Sequence, residues 1–123
     1  MLEAVERGIA DARQQSISSE TRLDAAYRAI MQAAMVALWA NGYRPSTNVP
    51  GHHKTLIQSL VHSIGLDNDT MLLLDTFRVK RNAADYTGED IDEVSVDSCI
   101  VAAEGLHRYL ISWLTENSPE LLA

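Results

Sequence analysis

Residues 19–42 read SETRLDAAYRAIMQAAMVALWANG, and this stretch decides the fold. Its apolar side chains recur at the spacing of one helix face: Leu23, Ala26, Tyr27, Ile30, Ala34 and Leu38. Further apolar residues near the C-terminal end extend that face almost all round the helix. Ser18 or Ser19 suits the N-terminal cap, and Asn41-Gly42 ends the pattern. We therefore predict a long helix that other helices cover on most sides.

Four other segments show helical spacing, over residues 2–12, 52–65, 67–86 and 95–117. Ser95 is the predicted cap of the last one. No segment alternates apolar and polar residues as a strand does, so we predict an all-α protein. Short connections make consecutive helices antiparallel, which predicts an up-and-down four-helix bundle with an additional N-terminal helix. The chain is read as a single domain, 1–123, with the N-terminal helix in 1–17 and the bundle in 19–117.

The predicted core draws on every helix of the bundle. It comprises Ile30, Ala34, Leu38, Leu60, Ile64, Leu74, Phe77, Ile100, Ala103 and Leu110. The N-terminal helix has a narrower apolar stripe, and Gly8 in its middle lowers its intrinsic stability. We expect this helix to depend on docking against the others.

Composition excludes several classes of protein. The 123 residues are 46% hydrophobic and 22% charged, with a formal net charge of −7. Such a charge repels polyanions, which disfavours binding to nucleic acid or acidic membranes. The longest apolar run, residues 33–40, is too short to cross a bilayer, and no secretory signal begins the sequence. We expect a cytoplasmic protein in which Cys99 is a buried free thiol.

The segment from Arg78 to Tyr86 is the most unusual in the chain. It reads RVKRNAADY and holds three of the ten basic residues. On a helix Arg78, Arg81 and Asp85 share one face, with Asp75 one turn earlier. This face is either a solvated row of salt bridges or one wall of a polar cleft.

The order of elements resembles the HEPN domains of prokaryotic toxin–antitoxin and nucleotidyltransferase-associated proteins. The resemblance covers residues 19–117. It rests on residues 25–30 in the first bundle helix, on Gly51-His52 at the start of the second, on a long final helix from residue 95, and most specifically on Arg81-Asn82-x-x-Asp85-Tyr86. It implies a homodimer formed through the helices that bear the Arg motif, with Arg81 and Asp85 of both copies near one cleft.

Ribonuclease members of that family carry a His four to six residues after the Arg, whereas this sequence has Tyr86 five residues after Arg81. A phenol is a poor general base at neutral pH. The resemblance therefore implies a non-catalytic accessory or antitoxin-like module, which binds a nucleotidyltransferase partner or a nucleotide or nucleic-acid ligand around Arg81. The candidate cleft residues are Arg78, Arg81, Asn82, Asp85, Tyr86 and His107.

Two alternatives stay open. His107 lies on the apolar stripe of the last helix, either as a hydrogen-bonded core residue or beside Arg81 as the displaced base of a metal-independent ribonuclease. A purely structural helical dimer is the other alternative. No cofactor and no metal is expected, because Cys99 and the scattered His residues lack ligand spacing and the adjacent His52 and His53 diverge on a helix.

Overall fold

The computed structural model describes residues 2–44, 52–88 and 90–122. Within them the chain forms α1 (Glu3–Ala12), α2 (Ser19–Ala40), α3 (His52–Ser63), α4 (Asn68–Thr87), α5 (Glu93–Asn117) and a short 3-10 helix (Pro119–Leu122). No strand occurs in these ranges, so the all-α prediction is confirmed. The connection predicted between Tyr43 and Gly51 lies mostly outside the described residues. None of the helices in the described ranges is both long and apolar enough to span a membrane.

Short polar side chains begin three of the helices. Ser18 accepts a hydrogen bond from the Thr21 amide at the start of α2, and Asp67 accepts one from the Thr70 amide at the start of α4. The prediction that Ser95 caps the last helix is wrong. Asp92 is the cap, because its carboxylate accepts hydrogen bonds from both the amide and the hydroxyl of Ser95. A carboxylate also suits the positive end of the helix dipole.

Helix α2 is central, since α1, α3, α4 and α5 all pack against it. This packing is consistent with a helical bundle and agrees with the near-continuous apolar surface read from the sequence. Nine of the ten predicted core residues are buried. The tenth, Leu38, lies near the end of α2 and is only half-buried against the edge of the core. Cys99 is a buried free thiol, as predicted.

Helix α1 docks through a close approach of two backbones. A Cβ at Gly8 would lie 3.0 Å from both the Ala25 carbonyl oxygen and the Ala29 Cβ, so glycine lets α1 and α2 meet closely there. At the C-terminal end of α1, the buried Arg22 donates a hydrogen bond from Nε to the Ala12 carbonyl. The helix ends at Ala12, and residues 13–18 of the predicted N-terminal unit are not helical.

Candidate functional site

Arg81 lies on the side of α4 that faces α2. Its Nε donates a hydrogen bond to Asp24 Oδ1 at 2.5 Å, and its guanidinium carbon lies 5.1 Å from the centre of the Tyr27 ring. A cation at this distance over an aromatic face is attracted by the ring's quadrupole. Two residues of α2, one turn apart, therefore hold one guanidinium of α4.

Tyr27 extends the contact to α3. Its ring is fully buried, and its hydroxyl lies 3.0 Å from His53 Nδ1. Burial raises the pKa of Tyr27 to about 12, although the cations of Arg81 and Arg78 act in the opposite direction. The phenol thus keeps its proton at neutral pH and can donate it to the imidazole nitrogen.

The pKa of His53 is shifted below its ordinary value. Burial is the main cause, followed by the nearby Arg81, His52 and Arg78. Because the ordinary pKa of an imidazole is about 6.5, a downward shift keeps His53 neutral at pH 7. A neutral imidazole can accept a hydrogen bond from Tyr27 at Nδ1 and still donate one from Nε2.

A second ion pair lies beside the first on the same helix. Arg78 donates hydrogen bonds to both carboxylate oxygens of Asp75, at 2.7 and 3.2 Å. These bonds raise the pKa of Arg78. We call the whole group the Arg81 cluster; it consists of Asp24, Tyr27, His53, Asp75, Arg78 and Arg81. Its two guanidinium groups are matched by two carboxylates.

A shallow cleft of about 260 Å³ opens beside Arg81, between α2, α4 and the segment before α5. The carboxylates of Glu20, Asp24 and Asp85 line it, and Arg81 is its one cation. Its apolar lining comes from Leu23, Ala84 and Ile91. Since Asp24 already pairs with Arg81, the remaining carboxylates leave this acidic cleft with an excess of negative charge.

The predicted site residues do not all come together. Asp85 lines the acidic cleft, but Arg81 pairs with Asp24 rather than with Asp85. Asn82 is half-buried on α4, whereas Tyr86 is 91% exposed. The Arg78–Asp75 contact has the i,i+3 spacing expected from the sequence.

His107 lies in a different part of the bundle. Its Nε2 is buried and 3.6 Å from Glu6 Oε1 of α1. Helix α1 packs on the side of α2 that carries Ala25 and Ala29, and Tyr27 lies about 200° around the helix from Ala25. His107 therefore faces α1 and is separated from the Arg81 cluster by α2.

The sequence analysis missed Asp24, Tyr27 and His53 as site residues. Tyr27 had been placed in the core stripe and His53 among scattered histidines. The described residues contain no group of three or more His, Cys, Asp or Glu side chains that converge as metal ligands. No family model, curated protein or solved structure matches the chain. The geometry of the cluster and the cleft therefore carries the functional argument.

Proposed function

We propose that this chain is a non-catalytic, cytoplasmic accessory module with a HEPN-like up-and-down bundle, and that it binds a partner protein at the acidic cleft. One observation carries the proposal: Arg81 is already paired with Asp24, and the cleft beside it holds the further carboxylates of Glu20 and Asp85. A site of this charge favours a cationic group of the partner.

A phosphate-bearing ligand fits the cleft poorly. To reach Arg81 it has to displace Asp24 and approach Glu20 and Asp85, and the net charge of −7 also opposes it. A lysine or arginine side chain of a partner fits better. Its methylene groups pack on Leu23 and Ile91, while its charged end meets the carboxylates.

The class of partner follows from the resemblance to HEPN domains. Small members of that family act beside nucleotidyltransferases, so we propose an accessory or antitoxin-like role towards such an enzyme. The contact between the two proteins is then a basic side chain of the nucleotidyltransferase in the acidic cleft. Co-expression with a candidate nucleotidyltransferase and co-purification is the direct assay for this partner.

Calorimetric titration with two probes tests the charge preference of the cleft. We expect a hexa-arginine peptide to bind the wild-type protein and ATP not to bind. The double variant Glu20→Gln/Asp85→Asn should bind the peptide at least about fivefold more weakly, as expected when two charges are removed near a cation. The control Glu116→Gln/Glu120→Gln removes the same charge far from the cleft and should bind like the wild type.

Two outcomes would overturn the proposal. One is an equal loss of peptide binding in the cleft variant and in the control, which shows attraction to net charge alone. The other is tight ATP binding that is lost in Arg81→Ala, which shows that the guanidinium leaves Asp24 for a phosphate.

A second candidate is a metal-independent ribonuclease, favoured by the neutral His53 next to Arg81. A neutral imidazole can take the proton of a ribose hydroxyl, and a guanidinium can stabilise charge on a phosphate. Tyr27 and Asp24, however, occupy His53 Nδ1 and Arg81. We expect no cleavage of single-stranded RNA in EDTA. Cleavage that is lost in Arg81→Ala and His53→Gln, but kept in His107→Gln, would replace the accessory role with this activity.

A further inference from the structure

Helix α4 carries an uncharged stripe on the side that faces away from α2. Its residues follow helical spacing and are all exposed: Leu72, Thr76, Val79, Ala83 and Tyr86. The exposed fraction is 51% for Leu72, 53% for Val79 and 91% for Tyr86. At 1.5 Å per residue this α4 stripe is about 21 Å long. A continuous apolar face of that length is typical of a surface that another protein covers.

We propose that a second copy of this chain covers the α4 stripe, with the two α4 helices antiparallel and a two-fold axis at Val79. The stripe is self-complementary about that point. Leu72 and Tyr86 lie seven residues on either side of Val79, so the two-fold axis places each Leu72 on Tyr86 of the second copy. The two valines meet on the axis, and each exposed ring packs on an aliphatic side chain.

The polar flank of the stripe is complementary to itself as well. Asp75 lies four residues before Val79 and Asn82 three residues after it, both half-buried on the same side of α4. Antiparallel pairing brings the Asn82 amide of one copy to the Asp75 carboxylate of the other, while Arg78 stays paired with its own Asp75. An apolar centre with a polar, hydrogen-bonded rim is the usual anatomy of a protein interface. This match favours a second copy over an unrelated protein.

The dimer leaves two separate Arg81 clusters. Arg81 lies two residues after Val79, about 200° around the helix, and it contacts Asp24 on the opposite side of α4. This arrangement differs from the expectation that pairing brings Arg81 and Asp85 of both copies to one cleft. Each acidic cleft stays open in the dimer, so the inference does not depend on the proposed function.

Sedimentation equilibrium of matched variants tests the interface. The wild type should reach twice 13.6 kDa at micromolar concentration. Val79→Asp should weaken the association at least about 30-fold, because it places a charge at the centre of the interface. Val101→Asp makes the same change at a 65% exposed valine of α5 and should stay dimeric. Ala83→Glu should also dissociate the dimer and serves if Val79→Asp lacks the wild-type circular dichroism.

Cross-linking tests the register. A cysteine on a two-fold axis meets its own counterpart, so Val79→Cys should form a disulfide-linked dimer under mild oxidation, and Val101→Cys should not. The buried Cys99 does not compete. The proposal is overturned by a 13.6 kDa wild type throughout the micromolar range, by dissociation in Val101→Asp but not in Val79→Asp and Ala83→Glu, or by equal cross-linking at both positions.

Discussion

Arg22 offers the sharpest test of how α1 is held in the bundle. Its side chain is only 9% exposed, and its Nε donates a hydrogen bond of 2.8 Å to the carbonyl of Ala12 at the C-terminal end of α1. The nearest carboxylate, Asp97, is 70% exposed and lies 3.9 Å away. The guanidinium therefore acts mainly on the end of α1. The perturbation that isolates this action is Arg22→Met, which keeps an unbranched apolar stem.

Two contributions set the expected loss. A hydrogen bond that involves a charged group contributes about 1.5–3 kcal/mol. A cation at a helix C-terminus adds about 0.3–1 kcal/mol through the helix dipole. Arg22→Met should therefore lower the free energy of unfolding by about 2–4 kcal/mol, a large part of the about 5–15 kcal/mol typical of a domain.

Urea denaturation followed by circular dichroism measures this loss, and hydrogen exchange locates it. The amides of α1 should exchange faster in Arg22→Met than in the wild type. Arg28→Met, at an exposed position of the same helix, is the matched control and should change stability by less than about 0.5 kcal/mol. The reasoning is refuted if Arg22→Met also stays within about 0.5 kcal/mol of the wild type, or if the control costs as much.

Two further predictions concern the core and the titration of the cluster. Phe77→Ala should lower the free energy of unfolding by about 3–5 kcal/mol, because the ring is only 5% exposed; a loss below about 1 kcal/mol in urea denaturation would contradict its burial. The lowered pKa of His53 means that the unfolded chain takes up a proton below about pH 6.5 which the folded protein resists, so stability is lost as the pH falls. Between pH 7.5 and 5 the wild type and His62→Gln should lose more stability than His53→Gln, and an equal loss in all three would be inconsistent with that shift.

Local patterns were sufficient to predict the helices. The apolar surface of α2 predicted a helix surrounded by others, and α2 ends at Ala40, just before Asn41-Gly42. Gly42 takes a positive φ of 86°, a conformation that glycine adopts without strain. The start of α5 was misplaced because Asp92 and Ser95 are both good caps, and sequence alone does not rank them. The carboxylate prevails because it accepts two hydrogen bonds from Ser95.

The candidate site was predictable only on α4. The contacts that complete it join Arg81 to Asp24, 57 residues away in sequence, and Tyr27 to His53, 26 residues away. Such contacts depend on how α2, α3 and α4 rotate about their axes, which helical spacing does not determine. Spacing alone had offered Asp85 as the partner of Arg81, since the two are four residues apart on one helix.

The choice between Asp24 and Asp85 links the fold to the proposed site. A pair within one exposed helix contributes little, because water solvates both charges. Pairing with Asp24 instead joins α4 to α2, over the face of the buried Tyr27, where the Arg81 side chain is only 28% exposed. That pairing leaves Asp85 without its predicted cation. The contact that fixes the position of α4 thus also gives the acidic cleft its excess negative charge, and with it the preference for a cationic partner.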